Sequence, residues 1–211
     1  MSGTLNFLDG LIDGFLSDVH TSMPALIERF DPQTMKADVK PLFRKKFKGE
    51  NAQSMPLISN VPVATFRAGG FIIRPPYKKG DKVLLVFSER ALDNVISTGK
   101  EADPEFARKF SLDDAVVIGG IMPFSESLPS QHGEDLIIAK EDFQSKIVIK
   151  ANGEIEIATD SQSIGVGSNS GNINVNTQQG DIGLSTSVGD VNITSSLGNV
   201  NISGKDSSGS W

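Results

Sequence analysis

The sequence predicts a mainly β protein: an N-terminal amphipathic helix, an OB-fold-like β-barrel, and a C-terminal trimeric β-helix built from nine-residue repeats. Three observations predict it. Aliphatic residues recur at helical spacing near the N-terminus, short apolar runs split by Gly, Pro and Asp turns fill the middle, and a nine-residue period runs through the last third. The segments divide as residues 1–22 for the helix, 23–133 for the barrel, 134–205 for the shaft and 206–211 for a tip.

Composition narrows the function first. Hydrophobic residues make up 38% of 211, with 21 glycines, so a polar, repetitive part dilutes a conventional core. A net charge of −6 argues against a nucleic-acid partner or an anionic membrane surface, either of which calls for a basic face. No apolar run approaches the roughly 18–20 residues needed to span a bilayer. Asp9, Asp13 and Asp18, with no Lys or Arg before Arg29, do not read as a signal peptide. The absence of cysteine removes disulfides and thiolate metal sites and fits synthesis in a cytoplasm.

In the first segment Leu5, Leu8, Leu11, Ile12, Phe15, Leu16 and Val19 fall three and four apart, which puts them on one face of a helix. Gly10 and Gly14 weaken that helix by about 1 kcal/mol each relative to Ala, so it needs a partner surface. Its own domain or another protein could supply one.

The middle segment predicts strands over 25–30, 34–42, 57–65, 70–74, 82–88 and 115–121. Turn chemistry separates them at Asp31-Pro32, Gly69-Gly70, Pro75-Pro76 and Gly80-Asp81. Ser88 to Gly99 reads as a short helix with a cap-like start and a glycine stop. Five or six short strands with one helix suggest a small Greek-key barrel of the OB type.

From Gly153 the chain falls into six copies of nine residues. Position 1 is Gly except at Gln162, and positions 3 and 5 are always aliphatic: Ile155/Ile157, Ile164/Val166, Ile173/Val175, Ile182/Leu184, Val191/Ile193 and Val200/Ile202. Each aliphatic-x-aliphatic triplet sends two side chains to one face of a short strand. Burying two such side chains does not offset the cost of ordering nine residues, so a repeat cannot stand alone. Nor do two aliphatics per repeat suffice to close a core around one chain's own coil. Three chains, each giving one wall, would close it and pair the strand edges. At one strand spacing of ~4.8 Å per repeat the shaft is about 30 Å long.

Other readings fit less well. A flexible linker has no reason to keep aliphatics in register. A calcium-binding β-roll needs the G-G-x-G-x-D pattern, whereas only Asp181 and Asp190 occupy position 2 and the double glycine is missing. A secreted β-solenoid adhesin or surface-binding module is the alternative that remains.

The middle segment resembles the N-terminal domain of the central baseplate spike proteins of contractile-tail phages and phage-like particles. The residues that carry the resemblance are Phe30-Asp31-Pro32, Ala37-Asp38-Val39-Lys40-Pro41, Val61-Pro62-Val63, Gly69-Gly70-Phe71 and Gly80-Asp81-Lys82-Val83. Phe87-Ser88-Glu89-Arg90, Asp113-Asp114-Ala115-Val116-Val117 and Gly119-Gly120-Ile121-Met122-Pro123 complete it. The resemblance implies an OB barrel at the head, a homotrimeric β-helical shaft, and a tip that pierces the host cell envelope mechanically. It places the protein in the virion, at the tail baseplate, after synthesis in the host cytoplasm. The implied partners are the baseplate hub and the tail tube. On that reading Leu5, Leu8, Leu11, Ile12, Phe15 and Leu16 form the hub attachment, and the twelve repeat aliphatics form the trimer core.

Similar spikes carry iron at a His-x-His tip, but here the only histidines are His20 and His132, both outside the repeat. No cofactor is therefore expected. Trp211 reads as a threefold aromatic plug, as the seat of a separate tip-capping protein, or as a disordered last residue. No catalyst is expected either. A muramidase needs two carboxylates flanking the glycosidic bond; Asp113-Asp114 and Glu101/Asp103/Glu105 are available but read as solvated loops. His20 and His132 read as exposed.

Overall fold

A computed structural model of the chain describes residues 2–17, 19–45 and 51–204. It divides into two compact units, Met1–Leu128 and Pro129–Trp211. The boundary expected at 133/134 lies five residues beyond this division. Residues 206–211, the expected tip with Trp211, lie outside the described residues.

The first unit opens with helix α1 (Ser2–Ser17) and then builds a curled five-stranded sheet. In chain order its strands are β1 (Ser22–Asp31), β2 (Lys36–Pro41), β5 (Ile58–Pro62), β8 (Lys82–Phe87) and β9 (Ala115–Gly120). Between them stand two small ladders, β3 (Arg44–Lys45) with β4 (Gln53–Ser54), and β6 (Phe66–Ala68) with β7 (Phe71–Ile73). The main sheet runs β5-β2-β1-β8-β9, antiparallel throughout. Just beyond β5, Val63 bridges in parallel to Val117 of β9, and Ala64 N–H bonds to the Val117 carbonyl at 2.8 Å. That contact curls the sheet into a half-barrel compatible with the expected OB-like fold.

Period-2 alternation decides which residues fill it. Met23, Ala25 and Ile27 of β1 point inward, as do Ala37 and Val39 of β2, Val83, Leu85 and Phe87 of β8, and Ala115 and Val117 of β9. Gly80 turns the chain into β8 at a φ of 94°, a conformation that costs other residues energy. At Gly119 the pairing with β8 shifts register, so the expected glycine kink is a β-bulge. The predicted strands correspond to β1, β2, β5, β8 and β9 with ends shifted by a few residues. The single strand expected at 70–74 is half of the β6–β7 hairpin, whose partner Phe66–Ala68 went unread. The expected helix at 88–99 is confined to α2 (Asp93–Thr98), which Gly99 ends in a left-handed conformation.

Asp38 holds the curl. Bulges interrupt β2's pairing on both sides, between Ile27 and Arg29 on β1 and opposite Asp38 on β5. Its carboxylate accepts from Arg29 Nε at 2.7 Å and from the Asn60 backbone N–H at 2.9 Å. Asn60 itself sits at a φ of 57°. The Arg29 hydrogen bond, then the Asn60 amide, hold the Asp38 carboxyl below its ordinary value of 3.8. Because the folded value is depressed, this contribution is complete above the ordinary carboxylate range and is lost as pH falls through the native value. Wild-type barrel stability is therefore expected to drop on acidification below about pH 4. Asp38→Asn should be less stable at pH 7 and lose less between pH 7 and pH 3. Thermal unfolding at the two pH values checks this, and equal losses in both proteins would contradict it.

The second unit begins with a three-stranded antiparallel meander, β10 (Leu136–Ala139), β11 (Ser145–Ile149) and β12 (Ile155–Thr159). From residue 160 to 204 no further strand pairing exists within the chain.

Candidate functional site

The surfaces that stand out are apolar and unpaired. On α1, Leu8, Leu11, Ile12, Phe15 and Leu16 are all exposed, with Phe7 beside them. Leu5 lies on the same helix, but its side chain is outside the described residues. The helix is thus present as expected, and its apolar stripe is exposed among the described residues. His20 is not the exposed helix-end residue expected. Its N–H bonds to the Phe110 carbonyl at 3.0 Å and its ring lies 5.5 Å from that of Phe87, so the barrel begins there.

A second apolar surface is the β6–β7 hairpin. Gly69 and Gly70, both at positive φ, make its two-residue turn, and Phe66 and Phe71 stand more than 80% exposed on one face. Arg67 and Ile72 on the other face border a cleft shared with Met35, Val63 and Arg74. Arg74 ties the hairpin to the β1–β2 turn through the Pro32 carbonyl at 3.0 Å.

The repeat region is the most regular. Extended stretches are broken by bends at 160–162, 169–171, 178–180, 187–189 and 196–198, a spacing of nine residues. Every expected core aliphatic is exposed: Ile164, Ile173, Ile182, Val191 and Val200 by 47–55%, and Val166, Val175, Leu184, Ile193 and Ile202 by 61–75%. Ile155 and Ile157 lie in β12 and are equally uncovered. No β-helix forms within the single chain, because each stretch lies extended without a hydrogen-bonding neighbour.

The corners between stretches are, by contrast, satisfied locally. Position 7 of the repeat is Thr159, Ser168, Thr177, Thr186 and Ser195, replaced by Gly204 only in the last copy. Ser168 and Ser195 accept the N–H bonds of Gly171 and Gly198 at 2.9 and 3.0 Å, and Thr159 accepts that of Gln162 at 3.3 Å. Thr177 and Thr186 instead donate to the carbonyls of Gln179 and Val188. At position 1, Gly180 and Gly189 take φ values of 104° and 113°, which explains the glycine preference. This hydroxyl is as periodic as the glycine and the aliphatics of positions 1, 3 and 5.

The β10–β12 meander departs from the nine-residue shaft expected over 134–205. Leu136, Ile138, Ile147 and Ile149 are alternating aliphatics that precede the nine-residue period and follow none of its spacing. His132, expected as an exposed linker residue, is instead half-buried and bonded to this sheet. Its Nδ1 lies 2.9 Å from Asp135 Oδ2 and its Nε2 3.2 Å from Lys146 Nζ.

The carboxylates weighed for glycoside chemistry are placed apart in role. Glu101, Asp103 and Glu105 are exposed, and so is Asp113. Asp114 is not the solvated residue expected: at 1% exposure it accepts from Arg108 Nε at 2.7 Å, Arg108 Nη2 at 3.1 Å and the Leu92 N–H at 2.9 Å. Arg108 also reaches Asp93 and lies 4.6 Å above the Phe106 ring. Asp93 thus pairs with Arg108, while Arg90 lies 3.5 Å from Glu89. Among the described residues no group of three or more His, Asp or Glu side chains is placed to hold a metal ion. No described helix is long and apolar enough to cross a membrane.

No curated protein matches the chain. Residues 23–120, the barrel from β1 to β9, match the family described as the phage protein Gp138 N-terminal domain. The match spans 98 of the 211 residues, and through it the chain is supported as a phage structural protein.

Proposed function

We propose that the protein is the central spike of a contractile tail, a homotrimer that pierces the host cell envelope mechanically and carries out no chemistry. The observation that carries this reading is the repeat region. Its corners are hydrogen-bonded within the chain, while its strands and their aliphatics are exposed at every repeat. Such a segment lacks only neighbours running alongside, and two further copies of the same chain supply them in register. The phage-type barrel ahead of it supports the same reading.

In this assembly the barrels sit against the hub and the end of the tail tube, at the baseplate of the virion. Contraction of the tail pushes the shaft forward, and the paired strands resist bending. The stripe of α1 is the hub attachment, and a separate capping protein closes the tip.

Light scattering after size exclusion tests the assembly. A mass of three times 22.6 kDa that persists in detergent is expected. A monomer would defeat the shared shaft and favour a single-chain solenoid adhesin. Removal of residues 2–17, which stops short of His20 and the barrel, should leave the trimer intact and abolish its incorporation into tails. Tails that assemble normally with the shortened chain would refute the hub attachment.

A further inference from the structure

We infer that the β10–β12 meander is the collar at which three copies of this chain first join, and that it sets the register of the repeat strands behind it. The inference rests on the trimer reading above and adds where that trimer begins and what aligns it.

The two faces of the meander differ. On one, the cross-strand rows Leu136–Ile149–Ile155 and Ile138–Ile147–Ile157 put six aliphatics side by side, each 44–66% exposed. On the other, Val148 is fully buried. The chain just before the sheet is fastened there, with His132 bridging Asp135 and Lys146, and Asp135 accepting the Ala151 N–H at 3.0 Å. One face is therefore finished within the chain, and the other is open.

The open face belongs to further copies of this chain. Ile155 and Ile157 are at once members of this face and the first pair of the repeat, so the patch runs on in sequence into the row proposed as the shaft core. None of the six side chains is charged, so identical faces can meet about a symmetry axis without opposing like charges. Six half-exposed aliphatics present on the order of 300 Å², at the edge of what a monomer leaves in water. Three such faces total about 1,000 Å², the size at which a specific interface becomes plausible.

Register is what the repeats cannot supply. Sliding one chain by nine residues sets glycine corner on glycine corner and aliphatic on aliphatic, leaving only one repeat uncovered. The meander has no such period. Its ladder is complete inside one chain, so it can fold before the strands that need neighbours.

The test uses the full chain and three variants, with mass by light scattering and the barrel's own unfolding transition as a control for folding. Ile147→Asp is expected to run as a monomer with the barrel transition retained. Ile147→Thr, which keeps a β-branched residue in the strand, should raise the concentration at which the trimer dissociates by tenfold or more. Ile182→Asp, in the fourth repeat, should stay trimeric. A trimeric Ile147→Asp, or a monomeric Ile182→Asp, overturns the collar. A monomeric wild type overturns the trimer reading itself and the collar with it, whereas a trimeric wild type with a trimeric Ile147→Asp overturns the collar alone.

Discussion

Replacing Ile173 and Val175 together by Asp is expected to strip the shaft of its resistance to protease and detergent, the largest single effect foreseen for this protein. Both side chains lie in the third repeat and are exposed in the single chain. In the proposed trimer, three copies bring six carboxylates to one narrow apolar axis. Each unpaired buried charge costs several kcal/mol after relaxation, so the penalty exceeds about 10 kcal/mol per trimer. The mass should remain trimeric, held by the collar, while residues 160–204 become cleavable. Partial recovery near pH 4–5 is expected, where a buried carboxyl takes up a proton. A melting profile identical to wild type would refute the shared core.

The second large effect lies in the barrel. Asp114→Ala removes the acceptor for two Arg108 hydrogen bonds and leaves the Leu92 N–H without its partner. Breaking a buried, hydrogen-bonded ion pair from one side costs about 3–5 kcal/mol, which lowers the melting temperature of a domain this size by on the order of 10–20 °C. The pair joins the loop ahead of β9 to the start of α2 and the connection after β8, so the loss should also loosen residues 90–110. Arg108→Ala/Asp114→Ala should cost less than the sum of the single changes, because the second removes a charge the first has stranded. A shift below about 1 kcal/mol for Asp114→Ala would mean that water replaces the carboxylate as partner of the guanidinium and the Leu92 N–H without penalty.

This ion pair marks a limit of reading by residue type. Asp113-Asp114 looked like a solvated acidic pair, and half of it was. Neighbouring residues in a 3-10 turn (Leu112–Asp114) point different ways, and only the return of Arg108 from its loop makes burial of Asp114 affordable. His132 is a similar case. Its Asp135 partner lies only three residues on, but Lys146 arrives from β11 across the meander.

The barrel strands were legible because alternation over five or six residues is a local property, written in β1, β2, β8 and β9 without help from elsewhere. The same holds for the helical stripe of α1 and for the nine-residue period, whose aliphatic pairs the chain repeats six times and whose corner glycine it repeats five times. The hydroxyl at position 7 is an equally local signal.

By itself, then, the sequence determined the kinds of elements, their order, and the fact that the repeat needs partners. These follow from side-chain period and turn chemistry, which act over a few residues. Only the tertiary structure decided how the main sheet curls through the Val63–Val117 contact, which carboxylate is buried, and which face of the meander is left open. Those depend on residues distant in the chain meeting in space, and the bulges around Asp38 and the ladder register of β10–β12 are where that meeting is settled.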